Sequence, residues 1–165
     1  MRQTDYFFYQ PFIAWDSFYI KKGQLIHVFE KWGLEYKIEF DFMVKKVPSD
    51  WTNIVHFIHG TAADRIPAIY LIANNTVLQI FYGVNPYHDY RVFYTLNQKY
   101  HVVVKQFKVA EKYMYEIEVD NATVHSFENQ QAEHFSDVKF YAGSPWSQGT
   151  LTNDIALFEN FEIFQ

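Results

Sequence analysis

Residues 36 to 44 read Tyr36-Lys37-Ile38-Glu39-Phe40-Asp41-Phe42-Met43-Val44. Tyr36, Ile38, Phe40, Phe42 and Val44 share one parity, while Lys37, Glu39, Asp41 and Met43 share the other. Successive side chains of a strand point to opposite faces, so this alternation predicts a strand with one face in a core and one turned outward. Residues 114–120 repeat the pattern, with Tyr115, Ile117 and Val119 inward and Glu116, Glu118 and Asp120 outward on a solvated face. Working outward from these two, runs rich in Val, Ile, Phe and Tyr predict further strands at 18–20, 25–30, 53–59, 68–73, 77–82, 91–96, 101–109, 123–127, 138–142 and 155–164. Turn residues separate them: Lys22-Gly23, Trp32-Gly33, Pro48-Ser49-Asp50, Asn74-Asn75, Asn85-Pro86, Asp120-Asn121 and Gly143-Ser144-Pro145. Connections this short make the strands largely antiparallel. Residues 128–136 carry no helical apolar stripe and read as a loop or a single turn. About a dozen strands exceed one small closed barrel, so the expected fold is all-β, a two-sheet antiparallel jelly-roll sandwich. The 165 residues, without repeat or linker, read as a single domain, residues 1–165.

Composition narrows the function classes. Fourteen Lys and Arg against 19 Asp and Glu leave a net charge of -5, with no basic stripe, so nucleic acid is not an expected partner. No apolar run is long enough for a membrane span. The absence of cysteine removes disulfides, thiolate metal sites and a cysteine nucleophile. The first residues do not read as a signal peptide. Asn74-Asn75-Thr76 and Asn121-Ala122-Thr123 are N-glycosylation triplets at predicted turns, and they tilt the expected location toward the outside of the cell.

The order of these elements from Ser17 onward resembles the concanavalin-A-like jelly roll, in its laminin-G and animal-lectin branch. The resemblance is carried by the strand from Tyr36 to Phe42, by Trp51-Thr52-Asn53-Ile54-Val55-His56-Phe57, and by Leu96-Asn97-Gln98-Lys99-Tyr100-His101 leading into Val102 to Lys105. Tyr115 to Asp120, and the closing run from Lys139 through Pro145-Trp146 to Phe161, complete it. Many relatives end the central strand in Val-Asp-Gly; here Val119-Asp120-Asn121 stands instead, and Asn can adopt the left-handed turn. The resemblance implies a binding domain. It makes calcium a candidate cofactor, with Asp50, Asp64, Asp89, Asp120 and Asp154 beside turns as candidate ligands. Jelly-roll glucanases use Glu-x-Asp-x-Glu on one strand, but here Met43 follows Glu39 and Asp41, and the second set, Glu116, Glu118 and Asp120, alters the order. The chain is therefore expected not to be an enzyme. His56 and His59 are spaced for a metal only on a helix; on a strand they point to opposite faces, one buried and one at the strand end.

Two loops mix aromatic and hydrogen-bonding residues as sugar sites do, with rings for the C-H face and fixed polar groups for hydroxyls. Residues 60–67 supply Asp64 and Arg65; residues 83–90 supply Asn85, Tyr87, His88, Asp89 and Tyr90; Trp146 offers a further wall. The same rings could instead cap the edge of the sandwich. The first functional expectation is a lectin-like carbohydrate-binding or adhesion module. The excess of rings, 17 Phe, 13 Tyr and 4 Trp, gives the alternative, a carrier of an apolar small molecule such as a steroid, polyene or pigment. The aromatic segment 1–16, with Tyr6-Phe7-Phe8-Tyr9, Phe12, Ile13 and Trp15, is apolar on both faces and is expected to pack on its own domain or on a neighbouring subunit of a homo-oligomer.

Overall fold

A computed structural model describes residues 11, 13–17, 20–61, 63–82 and 88–165. Twelve strands run through the described residues: β1 (Ile13–Ser17), β2 (Leu25–Trp32), β3 (Tyr36–Val44), β4 (Thr52–Ile58), β5 (Ala68–Leu71), β6 (Val77–Phe81), β7 (Asp89–Phe93), β8 (Lys99–Val109), β9 (Lys112–Val119), β10 (Ala122–Glu128), β11 (Phe135–Ala142) and β12 (Ala156–Phe164). They form two antiparallel six-stranded sheets, ordered β1-β12-β3-β8-β9-β10 and β2-β11-β4-β5-β6-β7. This is the expected β-sandwich of jelly-roll type.

The alternation of β3 is realised residue by residue, since Tyr36, Ile38, Phe40, Phe42 and Val44 are buried and the residues between them are half-buried. In β9, Tyr115 and Ile117 face the core. The core lies between the sheets and is built from rings. Phe140 of β11 stacks on Phe57 of β4 at 4.6 Å and on Phe161 of β12, in the opposite sheet, at 5.5 Å. Trp32 packs against Phe29, Tyr36 and Phe57 at about 5 Å. The β9–β10 hairpin turns on Asp120 and Asn121 at φ 50° and 65°, the pair of left-handed residues that a two-residue turn between twisted strands requires. Residues 129–134 form a loop with one turn, as its polar sequence predicts.

One strand differs from the sequence pattern. Ile20 lies in a connection, residues 18 and 19 fall outside the described residues, and the strand forms earlier, at Ile13–Ser17. Its reason is tertiary: β12 offers an open edge, Trp15 sits opposite Phe161, and the Trp15 ring packs on Phe140 and Phe161 at 6.0 and 5.7 Å. Ile13 and Trp15 thus pack on their own sandwich, whereas Tyr6 to Tyr9 and Phe12 lie outside the described residues.

Phe140 contacts both sheets, so its removal leaves a void at the centre of the ring stack. Phe140→Ala is expected to lower unfolding free energy by about 4 kcal/mol, measured as a drop in urea midpoint at neutral pH.

Candidate functional site

The sequence candidates do not form one cluster. Asp64 folds its own loop: Oδ2 accepts from the Gly60 and Thr61 backbone N–H groups at 2.6 and 2.9 Å. Partial burial works to raise the pKa of its carboxyl, and these donors outweigh it, leaving the pKa lowered. The Arg65 guanidinium lies 4.0 Å over the Phe81 ring. Asp89 is held by Gln79 Nε2 at 2.6 Å and Arg91 Nε at 3.3 Å. His88 lies against Tyr82, and Tyr90 stacks on His125 at 4.9 Å, where β7 and β10 approach at one end of the sandwich. Asn85 and Tyr87 lie outside the described residues.

The acidic candidates are likewise engaged by the protein. Asp50 accepts from Ser49, Asp120 from the His101 N–H, and Asp154 from Thr152 and Lys46. Among the described residues no three acidic or histidine side chains converge as a metal would need. Glu116 and Glu118 do not form the solvated face that their alternation suggests. They clamp Lys105 of the neighbouring strand at 3.4 and 2.6 Å, with side-chain exposures of only 13% and 18%. Asp41 accepts from Lys99, His101 and Asn160. Glu39 stands opposite Glu162 on β12, and burial together with that neighbouring carboxyl raises the Glu162 pKa.

A different set meets on the outer face of the second sheet. Trp51, Tyr70, Trp146, Ser147 and Gln148 line an open depression of about 410 Å3. Trp51 is 39% exposed and Trp146 is 53% exposed, an arrangement that leaves two large rings in water. Tyr70 lies 6.3 Å from Trp51, and the buried His56 ring lies beneath, 6.3 Å from Tyr70 and 6.1 Å from Trp146. His56 Nε2 also meets the Asp64 carbonyl at 2.7 Å, so the Asp64 loop and Trp146 share one neighbour.

Asn53 ties down the loop bearing Trp146. The Asn53 amide donates to the Val55 and Ile69 carbonyls, its Oδ1 accepts from Ser144 N–H at 2.8 Å, and its backbone N–H donates to Ser147 Oγ at 3.0 Å. Ser144 Oγ in turn accepts from Trp146 N–H. Gly143 at φ 84° turns the chain where a Cβ would meet the Lys21 carbonyl at 2.8 Å. Gly149 closes the loop against Thr52, whose hydroxyl occupies the space a Cβ would take. Trp51, Tyr70 and Asn53 are functional candidates the loop compositions do not reveal. The available signals are a polar Asn beside the apolar pair Ile54-Val55 in β4, and the parity of Tyr70 against the core residues Ile69 and Leu71.

His56 makes this region acid-sensitive. Burial is the main cause that lowers its pKa to about 4, with the Arg65 charge adding to it against the opposing Asp64 carbonyl. An unfolded histidine titrates near 6.5, so between those values the unfolded chain binds the extra proton and stability falls as pH falls. The expected loss is up to about 3 kcal/mol across this window, read from urea unfolding at a series of pH values, and His56→Gln removes that part of the dependence.

No family model matches this sequence, and no curated protein matches it. Solved structures do. The binding domain of botulinum neurotoxin DC, in complex with rat synaptotagmin II, superposes with a TM-score of 0.52 at 14% identity, over 79% of this chain and 32% of that one. Botulinum neurotoxin type C, whose cell entry depends on interaction with two ganglioside molecules, gives 0.51 at 14% identity over the same shares. Trypanosoma rangeli sialidase in complex with sialic acid gives 0.56 at 18% identity, over 79% of this chain and 20% of that one. The matched region is thus about a third of the toxin chains and a fifth of the sialidase. At such identities the likeness is one of fold: this chain has the two-sheet antiparallel sandwich that these proteins also contain.

Proposed function

We propose that this chain is a non-catalytic carbohydrate-binding module that holds a glycan on the face formed by Trp51, Tyr70 and Trp146. The observation that carries this reading is the pair of exposed tryptophans flanking Tyr70 across one depression, with the Trp146 loop fixed from below by Asn53. Leaving two indoles in water on a rigid support costs stability unless a ligand covers them. A sugar ring offers the complement, an apolar C-H face for an indole and hydroxyls for an exposed amide such as Gln148. No charged residue is among the described residues that line the depression, so the reading specifies uncharged saccharide units. The neighbours' own partners, a ganglioside in one case and sialic acid in another, are consistent with sandwiches of this kind serving glycan recognition. The proposal places the protein outside the cell, where both glycosylation triplets, with Asn74 and Asn121 at exposed turns, would be modified.

The test is a neutral-glycan array followed by calorimetry on the best binder. Trp51→Ala and Trp146→Ala are each expected to weaken affinity about tenfold, the loss of one stacking contact, with little change in thermal midpoint because both rings are exposed. Binding is expected to be insensitive to salt and to leave the glycan unhydrolysed. A double variant that still binds like the wild type would remove the site.

A further inference from the structure

A second recess of about 310 Å3 opens at the end of the sandwich, between the two sheets and away from the Trp146 face. Among the described residues seven rings line it: Trp32 and Tyr36 at the β2–β3 turn, Tyr82 after β6, His88 before β7, Tyr115 on β9, Phe127 on β10 and Phe135 on β11. Two groups of these rings are in contact, Tyr82 at 5.0 Å from Tyr115 and 4.8 Å from Phe127, and Trp32 at 5.0 Å from Tyr36. Residues 128–133 run along its rim. This strap is anchored, since Asn129 N–H donates to the Tyr113 carbonyl at 2.8 Å and the Asn129 amide donates to Gln106 Oε1 at 2.7 Å. Gln106 is held in turn through the Leu34 carbonyl at 2.7 Å.

Asn129 and Gln106 are therefore matched, but a donor in the wall is not. Trp32 Nε1 is buried and has no hydrogen-bond partner among the described residues, and the buried Tyr115 hydroxyl meets only the hydroxyl of Tyr36. Buried donors are nearly always paired; the Trp32 N–H, and the one hydroxyl hydrogen that a Tyr36–Tyr115 pair leaves over, call for an acceptor that the described residues do not supply. The rings ask for a flat apolar body, and the volume lies at the lower end of ligand pockets, room for roughly two fused rings. Glu128 and Glu133 at the rim, with no lysine or arginine among the described lining residues, disfavour an anion.

We propose that this end cavity binds a flat, uncharged small molecule carrying a hydrogen-bond acceptor such as a ketone, its rings among Tyr82, Tyr115 and Phe127 and its acceptor within reach of Trp32 and Tyr115. The inference stands apart from the glycan reading, since it uses other residues at another place on the fold.

A suitable probe is 6-propionyl-2-dimethylaminonaphthalene, which is flat and neutral, bears one ketone, and shifts its emission to the blue when it leaves water. Titrated into the purified protein, it is expected to give a saturable blue shift at one site per chain. Ala132→Trp, which fills the cavity from the strap, is expected to abolish the saturable phase. Tyr115→Phe keeps the ring and removes only the hydroxyl; it is expected to weaken binding about tenfold and move the emission of the bound probe further to the blue, as the ketone loses its donor. Because that substitution is nearly isosteric, it decides the matter even where the tryptophan variant fails to fold. The proposal is overturned if the wild-type protein gives no saturable shift, as a water-filled recess would, or if Tyr115→Phe binds the probe as tightly as the wild type with unchanged emission.

Discussion

The stacking of Phe140 between Phe57 and Phe161 is the contact on which the two sheets depend. Backbone hydrogen bonds hold each sheet together but do nothing between sheets; only side chains span that distance. Rings do it with large apolar area and few torsions to freeze, and near-parallel planes in this stack fix the lateral position of one sheet over the other. Trp32 adds to the same contact through Phe57, and Trp15 through Phe140 and Phe161. Everything placed on the outer faces inherits its geometry from this interior.

The outer faces themselves are unlike. On the first sheet, Lys105 sits between Glu116 and Glu118, and Asp41 takes donors from Lys99, His101 and Asn160, so charge is neutralised locally and partly removed from water. Such a surface has little left to offer a ligand. On the second sheet, the polar work is done underneath, by Asn53, and rings are left at the top. Specific recognition needs a side chain already in place before the ligand arrives, and a buried amide satisfied on every side provides that at low entropic cost.

How much of this was legible in the sequence follows from the range of the forces involved. β3 and β9 are written in their own parity, because each strand decides locally which side is apolar. The hairpin at Asp120-Asn121 is local as well. β1 is not, since Ile13 and Trp15 become a strand only through the free edge of β12, almost the whole chain away. Trp146 stands out between Pro145 and Ser147, but its companions do not: Tyr70 reaches the face because Asn53 pairs with it in the β4–β5 register. Asp64 and Asp89 illustrate the opposite error. Their loops have the composition of a binding site, yet a carboxylate next to free N–H groups or a neighbouring amide is captured by its own chain first. Composition cannot separate a turn-forming aspartate from a ligand-holding one; the location of its donors can.

The position of β12 in the first sheet has a consequence for biosynthesis. It lies between β1 and β3, bonded to both, although more than a hundred residues of synthesis separate it from them. Until β12 leaves the ribosome, β1 has no partner and the edge of β3 stays open, with the rings of Phe40 and Phe42 uncovered by Phe158 and Phe161. The hairpins of β8, β9 and β10 can zip during elongation, but the sheet closes only once the last strand inserts. A nascent chain of this design therefore carries an exposed apolar edge from the synthesis of β3 until that of β12, an interval in which chaperone contact counts.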